Sequence, residues 1–519
     1  MARIVIDPIT RIEGHLSVEI DTEGGAVRGA HVRGDMFRGF ENILKGRNPV
    51  DAVQITQRIC GVCPASHGIA SCRALESAFN VEPSGNGLLI RNLILASNFL
   101  QSHLLHFYVL AAPDYIDIAA ILTYQGTDET LLRLKAWAAH ELAKENKPHH
   151  QPAAPFFPRY SGEGIYLQDH DTNITHIAHY VKALDIRMKA HRMLTLFGGR
   201  MPHIMSYVPG GVTTRPTTEI IKEFSQTLDE IEQFVTTCYV PDVLALAKSF
   251  PQYLQMGAFN GFLAYGEFPR YNAPAELYFP RGVMTGGSIE TLDTEKITEQ
   301  VRFSRYGSAS GLHPSLGKTE PQPEKGDAYS WIKSPRYRNK PLEVGPLARL
   351  LIGYASGRQD IRAETDKALA RLSASLPSLR SAMGRYVARA IECTLLCRAM
   401  HAWLDELRPD EPPRSTYSIP ETGRGAGLAE AARGALGHWI SVAGGRIDNY
   451  QCVVPTTWFA SPMDDNGTHG PMEQALVGTP VRDEANPIDV VRVVRSFDPC
   501  IACAVHCTGT KKPVTMAGI

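Results

Sequence analysis

The hydrophobic pattern divides the chain into a short sheet at the start and a helical body after it. From Leu16 to Ile20, apolar residues alternate with polar ones, and a second alternating run reaches Val32 after the turn-forming stretch 21–25. Alternation with a period of two is typical of half-buried strands. We therefore expect a β-hairpin near the N-terminus.

Farther along, the apolar period changes to 3.6 residues, which predicts helices. One stripe runs from Ile220 to Val235 behind a start signal at 216–219, and another runs from Leu379 to Thr394. The apolar stretch from Leu88 to Ala112 includes arginine, asparagine and histidine side chains. These are too polar for a lipid-facing span of about 20 residues, so we expect a buried helix.

Three segments show no sustained period. Residues 305–347 are rich in Pro, Gly, Ser and charge, which predicts a long ordered excursion over the surface. Gly423 to Gly427 and Pro462 to Gly470 predict irregular loops packed around a site. We find no internal repeat and no domain boundary. The expected fold is α+β, with residues 1–519 forming one domain that has a mostly helical body and a small N-terminal sheet.

Composition excludes several classes of protein. The 53 Lys+Arg and 54 Asp+Glu leave a formal net charge of −1, which gives no basic surface for nucleic acid or an anionic membrane. The first fifteen residues lack the apolar run of a signal peptide. With no predicted transmembrane segment either, we expect a cytoplasmic chain, or one attached peripherally to a membrane through partners.

Cysteine spacing indicates a metal site. Cys60 and Cys63 form one CxxC pair, and Cys500 and Cys503 form another that begins 437 positions later. A structural zinc site is one interpretation, but zinc motifs usually place their pairs some 10 to 20 residues apart. A site that joins both ends of the fold at its core favours a catalytic metal. Four other cysteines are expected to be small buried apolar residues: Cys72, Cys238, Cys393 and Cys397.

Both pairs belong to a series of short motifs spread along the chain. In order these are RIEGH (11–15), FRGFE (37–41), RICGVCPASH (58–67), HLLHFY (103–108) with Asp114 downstream, GRMPHIMSYVPGGV (199–212), YSWIKSPRY (329–337), EVGPLAR (343–349), EAARGALGHW (430–439), VVPTTWFASP (453–462) and DPCIACAVH (498–506). The series resembles the large subunit of a nickel-iron hydrogenase nearly end to end.

The resemblance implies reversible heterolytic cleavage of dihydrogen, with hydrogen oxidation as the expected direction. It makes Cys60 and Cys500 terminal ligands of nickel. Cys63 and Cys503 would bridge nickel to an iron that carries carbon monoxide and cyanide. Soft thiolates suit such a metal, and an open nickel position lets dihydrogen be polarised.

Further roles carry over by motif position. Glu13 is expected to relay the proton, and Arg433 to face the open metal position with Asp114 and Asp498 as its anchors, because a buried guanidinium needs carboxylate partners. The supporting residues implied are His67, hydrogen-bonded near the bridging thiolates, and Thr456, hydrogen-bonded to a cyanide. Ala432 stands where the family usually has proline.

A second metal is implied near the C-terminus. Glu41, His506 and the backbone carbonyl of Cys452 match ligands of a magnesium or an iron. The resemblance also implies that a maturation endopeptidase removes residues 507–519 once nickel-insertion factors have loaded the site.

Partners follow from what the chain lacks. No ferredoxin-like run of cysteines remains, so electrons require an iron-sulfur small subunit, in a heterodimer or a higher oligomer. His203 and the Gly210–Gly211 turn match a segment that lies toward that subunit. No GxGxxG motif for nicotinamide follows a predicted strand.

Three alternative functions differ from this expectation in features of the sequence. A hydrogen-sensing regulatory subunit would keep the same metal site with low turnover, but such subunits tend to end at the last motif, whereas this sequence continues past His506. The quinone-site subunit of respiratory complex I lacks the four-cysteine pattern. A zinc-stapled structural protein would leave Glu13, Glu41, Arg433 and Asp498 unexplained.

Overall fold

The computed structural model describes residues 2–143, 154–157, 159–271 and 273–504. Helix makes up 47% and strand 19% of the structure, so the prediction of a mixed helical and sheet fold is confirmed. The described α-helices are α1 (Phe40–Leu44), α2 (Asp51–Thr56), α3 (Pro64–Phe79), α4 (Gly85–Leu105), α5 (Glu129–Leu142), α6 (His170–Gly198), α7 (Thr218–Phe234), α8 (Val240–Ser249), α9 (Pro346–Ala355), α10 (Gln359–Leu372), α11 (Ala382–Glu406), α12 (Pro455–Phe459), α13 (Pro471–Leu476), α14 (Ile488–Ser496) and α15 (Ile501–Ala504).

The strands form small antiparallel sheets between these helices. They are β1 (Ala2–Ile6), β2 (Leu16–Glu23), β3 (Ala26–Gly34), β4 (Tyr207–Val208), β5 (Gly211–Val212), β6 (Phe262–Ala264), β7 (Glu267–Arg270), β8 (Ala273–Phe279), β9 (Gly282–Thr285), β10 (Ser288–Glu290), β11 (Ile297–Gln300), β12 (Ser334–Tyr337), β13 (Thr422–Ala431), β14 (Gly434–Ala443) and β15 (Arg446–Val453). Three-stranded sheets have the orders β1-β2-β3, β10-β9-β6 and β13-β14-β15, and β4-β5, β7-β8 and β11-β12 are two-stranded.

The predicted N-terminal hairpin is β2 and β3, with Val18 opposite Val32. The structure adds β1 at the edge, where Ile4 pairs with Ile20. This strand was missed because its own residues are largely exposed and alternate weakly.

The predicted long helices are present. Helix α7 begins after Thr217, whose hydroxyl caps it by accepting from the amide of Ile220 at 3.3 Å. Helix α11 begins at Ala382 rather than Leu379, since Leu379 ends a separate 3-10 turn. Helix α4 and the turns after it, residues 85–114, are apolar and long enough to cross a membrane, but 83% of the most apolar window is buried inside the protein. It is the core helix that its polar residues predicted.

Gly423–Gly427 was predicted to be an irregular loop, and this is wrong: the segment lies within β13. Its alternate glycines face helix α3. A Cβ on Gly425 would lie 2.1 Å from the carbonyl oxygen of Ala74, and one on Gly427 would lie 1.9 Å from that of Ala70. Only glycine allows a strand and a helix backbone to approach this closely, so these residues serve packing rather than turning.

The prediction of a surface excursion at 305–347 is wrong for its second half. Residues 330–337 are buried, and the amide of Trp331 donates to the carbonyl of Gly34 in β3 at 3.0 Å. The charged residues that indicated exposure are paired inside the protein, as Arg336 is with Asp464 at 2.9 Å. Residues 462–470 are irregular, as expected.

Candidate metal centre

The two CxxC pairs meet in the core. Cys60 follows the 3-10 turn Gln57–Ile59, and Cys63 is the N-cap residue of α3. Cys500 precedes α15, and Cys503 lies in it. The sulfur of Cys60 is 3.4 Å from that of Cys500, and the sulfur of Cys63 is 3.3 Å from that of Cys503. All four sulfurs lie within 4.8 Å of one another, and all four residues are buried.

This arrangement suits a metal. The sulfur separations are far longer than the roughly 2.05 Å of a disulfide, and the four cysteines are free. Burial raises the pKa of Cys500 and Cys503, whereas hydrogen bonds from these two thiols lower the pKa of Cys60 well below its usual range. Thiols that share protons in this way must release them when a cation binds. The site can therefore hold a soft metal as a tetrathiolate.

Glu13 reaches the cluster through backbone pairing of the two ends of the chain. Its carbonyl accepts from the amide of Ile501 at 2.8 Å, and it forms a parallel bridge with Cys500. Its carboxylate Oε2 lies 3.1 Å from the Cys500 sulfur and accepts from the amide of Ala502 at 3.0 Å. Burial and the negative charge of Cys60 raise the pKa of Glu13, which brings it closer to the range where a carboxyl both holds and releases protons.

Arg433 lies in the two-residue turn between β13 and β14 and is buried. Its Nη2 donates to Asp498 Oδ1 at 3.0 Å, its Nε donates to the Asp498 carbonyl at 3.0 Å, and its Nη1 lies 3.4 Å from the Ser102 hydroxyl. Burial opposes the charge, but Asp498 and the cysteine sulfurs raise the pKa of Arg433 well above its usual value. A fixed positive charge thus lies beside the thiols.

Asp114 was expected to anchor Arg433, and the structure gives it different partners. Its Oδ1 accepts from Arg11 and, at 2.6 Å, from Arg495. Burial opposes ionisation of this carboxyl, yet Arg11 and Arg495 hold the pKa of Asp114 below its usual range. Of the two predicted carboxylates, Asp498 is bonded to Arg433, whereas Asp114 pairs with Arg11 and Arg495.

Two supporting residues lie beside the ligands. The Thr456 hydroxyl, at the start of α12, accepts from the amide of Cys500 at 3.0 Å and keeps its own proton free to donate elsewhere. His67 is one turn after Cys63 on the same face of α3. Its Nδ1 lies 3.2 Å from Nε2 of His438, whose Nδ1 is 2.8 Å from the Tyr450 hydroxyl.

The residues predicted to hold a second metal are partly assembled. Glu41 Oε1 accepts from the amide of Cys452 at 2.9 Å, and the Thr319 hydroxyl donates to Oε2. Lys333 Nζ lies 3.7 Å from the same Oε2. His506, like residues 507–519, lies outside the described residues.

In another group of possible cation ligands, the positive charge is supplied by an arginine side chain. Asp7, His15 and Asp35 come together near the surface. Arg33 bridges them, at 3.0 Å from Asp7 and 2.7 Å from Asp35. We read this group as an ion-pair network.

Three residues at these sites were not predicted from the sequence. Lys333 belongs to the YSWIKSPRY motif, so a signal existed for it. Ser102 and Thr319 carried no signal, since their contacts arise only from the packing of distant segments.

The remaining predicted residues are also placed. Cys72, Cys238, Cys393 and Cys397 are free and buried, as expected. His203 is partly exposed and its Nδ1 lies 2.7 Å from Arg58 Nη1. The Gly210–Gly211 turn, expected toward a partner, is buried against residues 413–415 of this chain, where a Cβ on Gly211 would lie 2.2 Å from the Pro413 carbonyl oxygen.

Comparison with known proteins identifies the family. A family model described as nickel-dependent hydrogenase matches residues 38–506. The chain belongs to this family. A second model, described as HoxL-like, matches residues 3–33.

Similar proteins extend along nearly the whole hydrogenase chain. The periplasmic NiFeSe hydrogenase large subunit of Desulfomicrobium baculatum is 38% identical, over 97% of this chain and 95% of that protein. The Hydrogenase-2 large chain of Escherichia coli is 36% identical, over 97% of each. A solved structure of the Ni-Fe-Se hydrogenase from D. vulgaris Hildenborough has a TM-score of 0.86 and 39% identity, over 97% of this chain and 100% of that one.

This chain is therefore a hydrogenase large subunit, an oxidoreductase acting on hydrogen and part of a heteromeric enzyme. Two of these relatives are named for selenium as well as nickel and iron. In this chain all four residues of the metal-binding group are cysteine.

Proposed function

We propose that this subunit oxidises dihydrogen at a nickel-iron centre and passes the electrons to an iron-sulfur small subunit. The observation that carries the proposal is the convergence of four buried cysteine sulfurs with the Glu13 carboxylate and the Arg433 guanidinium. A structural zinc site needs neither a proton acceptor nor a buried cation beside its thiolates.

The protein ligands divide into two kinds. Cys60 and Cys500 would hold nickel, and Cys63 and Cys503 would be shared with an iron carrying carbon monoxide and cyanide. When bound, this centre supplies the heterolytic cleavage of dihydrogen. The Thr456 hydroxyl, which keeps its proton free, would donate to a cyanide, and His67 would donate toward the bridging sulfurs.

Proton movement is the part of the reaction that this chain performs with its own side chain. Glu13 Oε2 lies within reach of the Cys500 sulfur, and its raised pKa suits proton exchange. Because Glu13 is only partly buried, its proton can pass on toward solvent.

Arg433 keeps a positive charge next to the sulfurs while Asp498 fixes its plane. A guanidinium held on two sides in this way can donate to a small ligand without rearranging. That is the preorganised electrostatics by which active sites favour charge separation.

Electrons would leave where the cluster comes nearest to the surface. Gly61, next to Cys60, is exposed, and nothing lies within 4 Å of where its Cβ would be. Met205, two residues after His203 in the same motif, is 54% exposed, as an interface residue would be. We propose that the small subunit docks on this surface.

Two further features belong to the proposal. Glu41, the Cys452 carbonyl and His506 would hold a magnesium or an iron, and a maturation endopeptidase would remove residues 507–519 after nickel insertion.

Helix α4 is buried, so membrane attachment would run through partner subunits. A cytoplasmic location stays a prediction, and the Desulfomicrobium relative is named as periplasmic.

The test is to purify the subunit with its partner and measure metals together with hydrogen-dependent dye reduction. We expect nickel and iron in the subunit and hydrogen oxidation. Zinc in place of nickel would refute the proposal. Full nickel content with little turnover would instead favour the hydrogen-sensing alternative.

A further inference from the structure

The turn that carries Arg433 is held by a second arginine. Arg349 is fully buried in α9, and its Nη1 and Nη2 donate to the carbonyls of Ala431 and Ala432 at 3.0 and 3.1 Å. These are the two residues directly before Arg433. Ala432 has no ring to fix its backbone, so the turn depends on such contacts for its conformation.

Arg349 is itself fixed in one orientation. Its Nε and Nη2 form a bidentate pair with Glu392 at 2.6 and 2.8 Å, and its Nη1 donates to Glu430 at 2.6 Å. With the two carbonyls, these contacts engage all five N–H donors of the guanidinium. The side chain therefore cannot rotate without breaking several charged hydrogen bonds in the core.

The backbones of the two elements also touch. Gly345, the N-cap residue of α9, and Gly434, the first residue of β14, have positive φ angles of 128° and 133°. A Cβ on Gly434 would lie 2.6 Å from the amide nitrogen of Gly345, and a Cβ on Gly345 would lie 2.9 Å from the carbonyl oxygen of Arg433. Two glycines thus let the start of α9 rest directly on the turn.

The contacts close into a ring around Arg433. Glu392 in α11 lies 2.7 Å from Nε2 of His103 in α4. The residue before His103 is Ser102, whose hydroxyl is the contact of Arg433 Nη1. Arg433 is therefore bounded by α4 through its side chain and by α9 through its backbone, and Glu392 joins the two helices.

We propose that Arg349 is a positioning residue for Arg433, with Glu392 as its anchor. The inference rests on the proposed function, since Arg433 has its role there. Arg349 touches neither the cysteines nor a substrate. It acts through the carbonyls of the turn, and its place in EVGPLAR explains a motif that the metal centre leaves without a role.

The test is a double-mutant cycle on the complete enzyme. Arg349→Lys keeps the positive charge but loses the planar guanidinium that bonds to several acceptors at once. We expect hydrogen oxidation to fall by about 10- to 100-fold, because a displacement near 1 Å in an active site can have this effect. In an Arg433→Lys background the same change should have little further effect, because the guanidinium that Arg349 positions is already absent.

Arg336→Lys is the matched control. Arg336 is equally buried and donates to Asp464, Ser461 and three carbonyls, but none of its contacts is with the turn. Arg336→Lys should lower hydrogen oxidation by the same factor in the wild-type and the Arg433→Lys backgrounds. Multiplicative effects for Arg349→Lys as well would overturn the proposal, since they would mean that Arg349 serves stability alone.

A second measurement does not need activity. Amide hydrogen exchange followed by mass spectrometry should rise in residues 426–440 for Arg349→Lys and in residues 462–470 for Arg336→Lys. If Arg349→Lys does not fold, Glu392→Gln should raise exchange in 426–440 with nickel content retained. Unchanged exchange there would overturn the inference, whereas inactive wild-type enzyme with the expected exchange would refute only the proposed function.

Discussion

The contact between β13 and α3 predicts an unusually sharp response to one methyl group. In Gly427→Ala the new Cβ would lie 1.9 Å from the Ala70 carbonyl oxygen, whereas real Cβ atoms essentially never come closer than 3.0 Å to a neighbour. The strand and the helix must therefore separate by about 1 Å. The obstacle is backbone, so no side chain can rotate away.

The cost has two parts. Overpacking a core of this kind destabilises a protein by roughly 1–3 kcal/mol. In addition, Cys63 is the N-cap residue of the displaced helix, so its sulfur should move relative to Cys503. A 1 Å error in a catalytic arrangement can reduce turnover by about 100-fold.

The assay compares Gly427→Ala with Gly29→Ala. Gly29 is also in a strand, but its new Cβ would lie 3.6 Å from Asp21 Oδ2, an ordinary contact. Chemical denaturation, nickel content and hydrogen oxidation are measured for both variants. Only Gly427→Ala should lose stability and activity. Equal behaviour of the two variants would refute the packing argument, and lost stability with full activity would refute its link to the metal centre.

Four other outcomes follow from the site. Cys500→Ser should abolish hydrogen turnover, because a hydroxyl is a poor ligand for a soft metal, and near-normal activity with full nickel loading would contradict the ligand assignment. Glu13→Gln should reduce turnover by at least about 100-fold with nickel retained, and nickel loss would show a structural role instead. A hydrogen bond to Glu473 raises the pKa of His469 above its ordinary 6.5, so this pair stabilises the fold fully below pH 6.5 and progressively less as pH rises through the raised pKa. His469→Gln should remove that part of the pH dependence in urea titrations, and an unchanged profile would show that the pair contributes nothing. Intact-mass measurement of active protein should find a chain without residues 507–519, and an active form that retains them would contradict the processing prediction.

How much the sequence could predict depended on whether chemistry or packing set the contact. Spacing predicted that each CxxC pair binds metal, and the resemblance carried by the motifs implied that Glu13 lies at the same site. The structure brings the Glu13 carboxylate within 3.1 Å of Cys500. Paired CxxC cysteines have few roles other than metal binding, so their chemistry restricts where they can lie. The periodic helices were predicted for the same reason, since a long amphipathic stripe has one simple solution.

Partner choice among buried charges could not be predicted. Asp114 and Asp498 were equally suitable partners for Arg433 on sequence grounds. In the fold Asp114 pairs instead with Arg11 and Arg495, which lie hundreds of positions apart in sequence. Glycine was ambiguous in a similar way. Gly425 carries no mark that distinguishes a turn from a close backbone contact, because the contact depends on a helix more than 300 residues away.

The separation of the two cysteine pairs has a consequence in time. At translation rates of about 5–20 residues per second, the 437 positions between Cys63 and Cys500 take roughly 20 to 90 s to synthesise. Throughout that interval the first pair has no partner thiols, and a chain that stops early never acquires a four-sulfur site. The metal centre therefore closes last, and occupancy of its four sulfurs reports that the ribosome has finished the chain through residue 503.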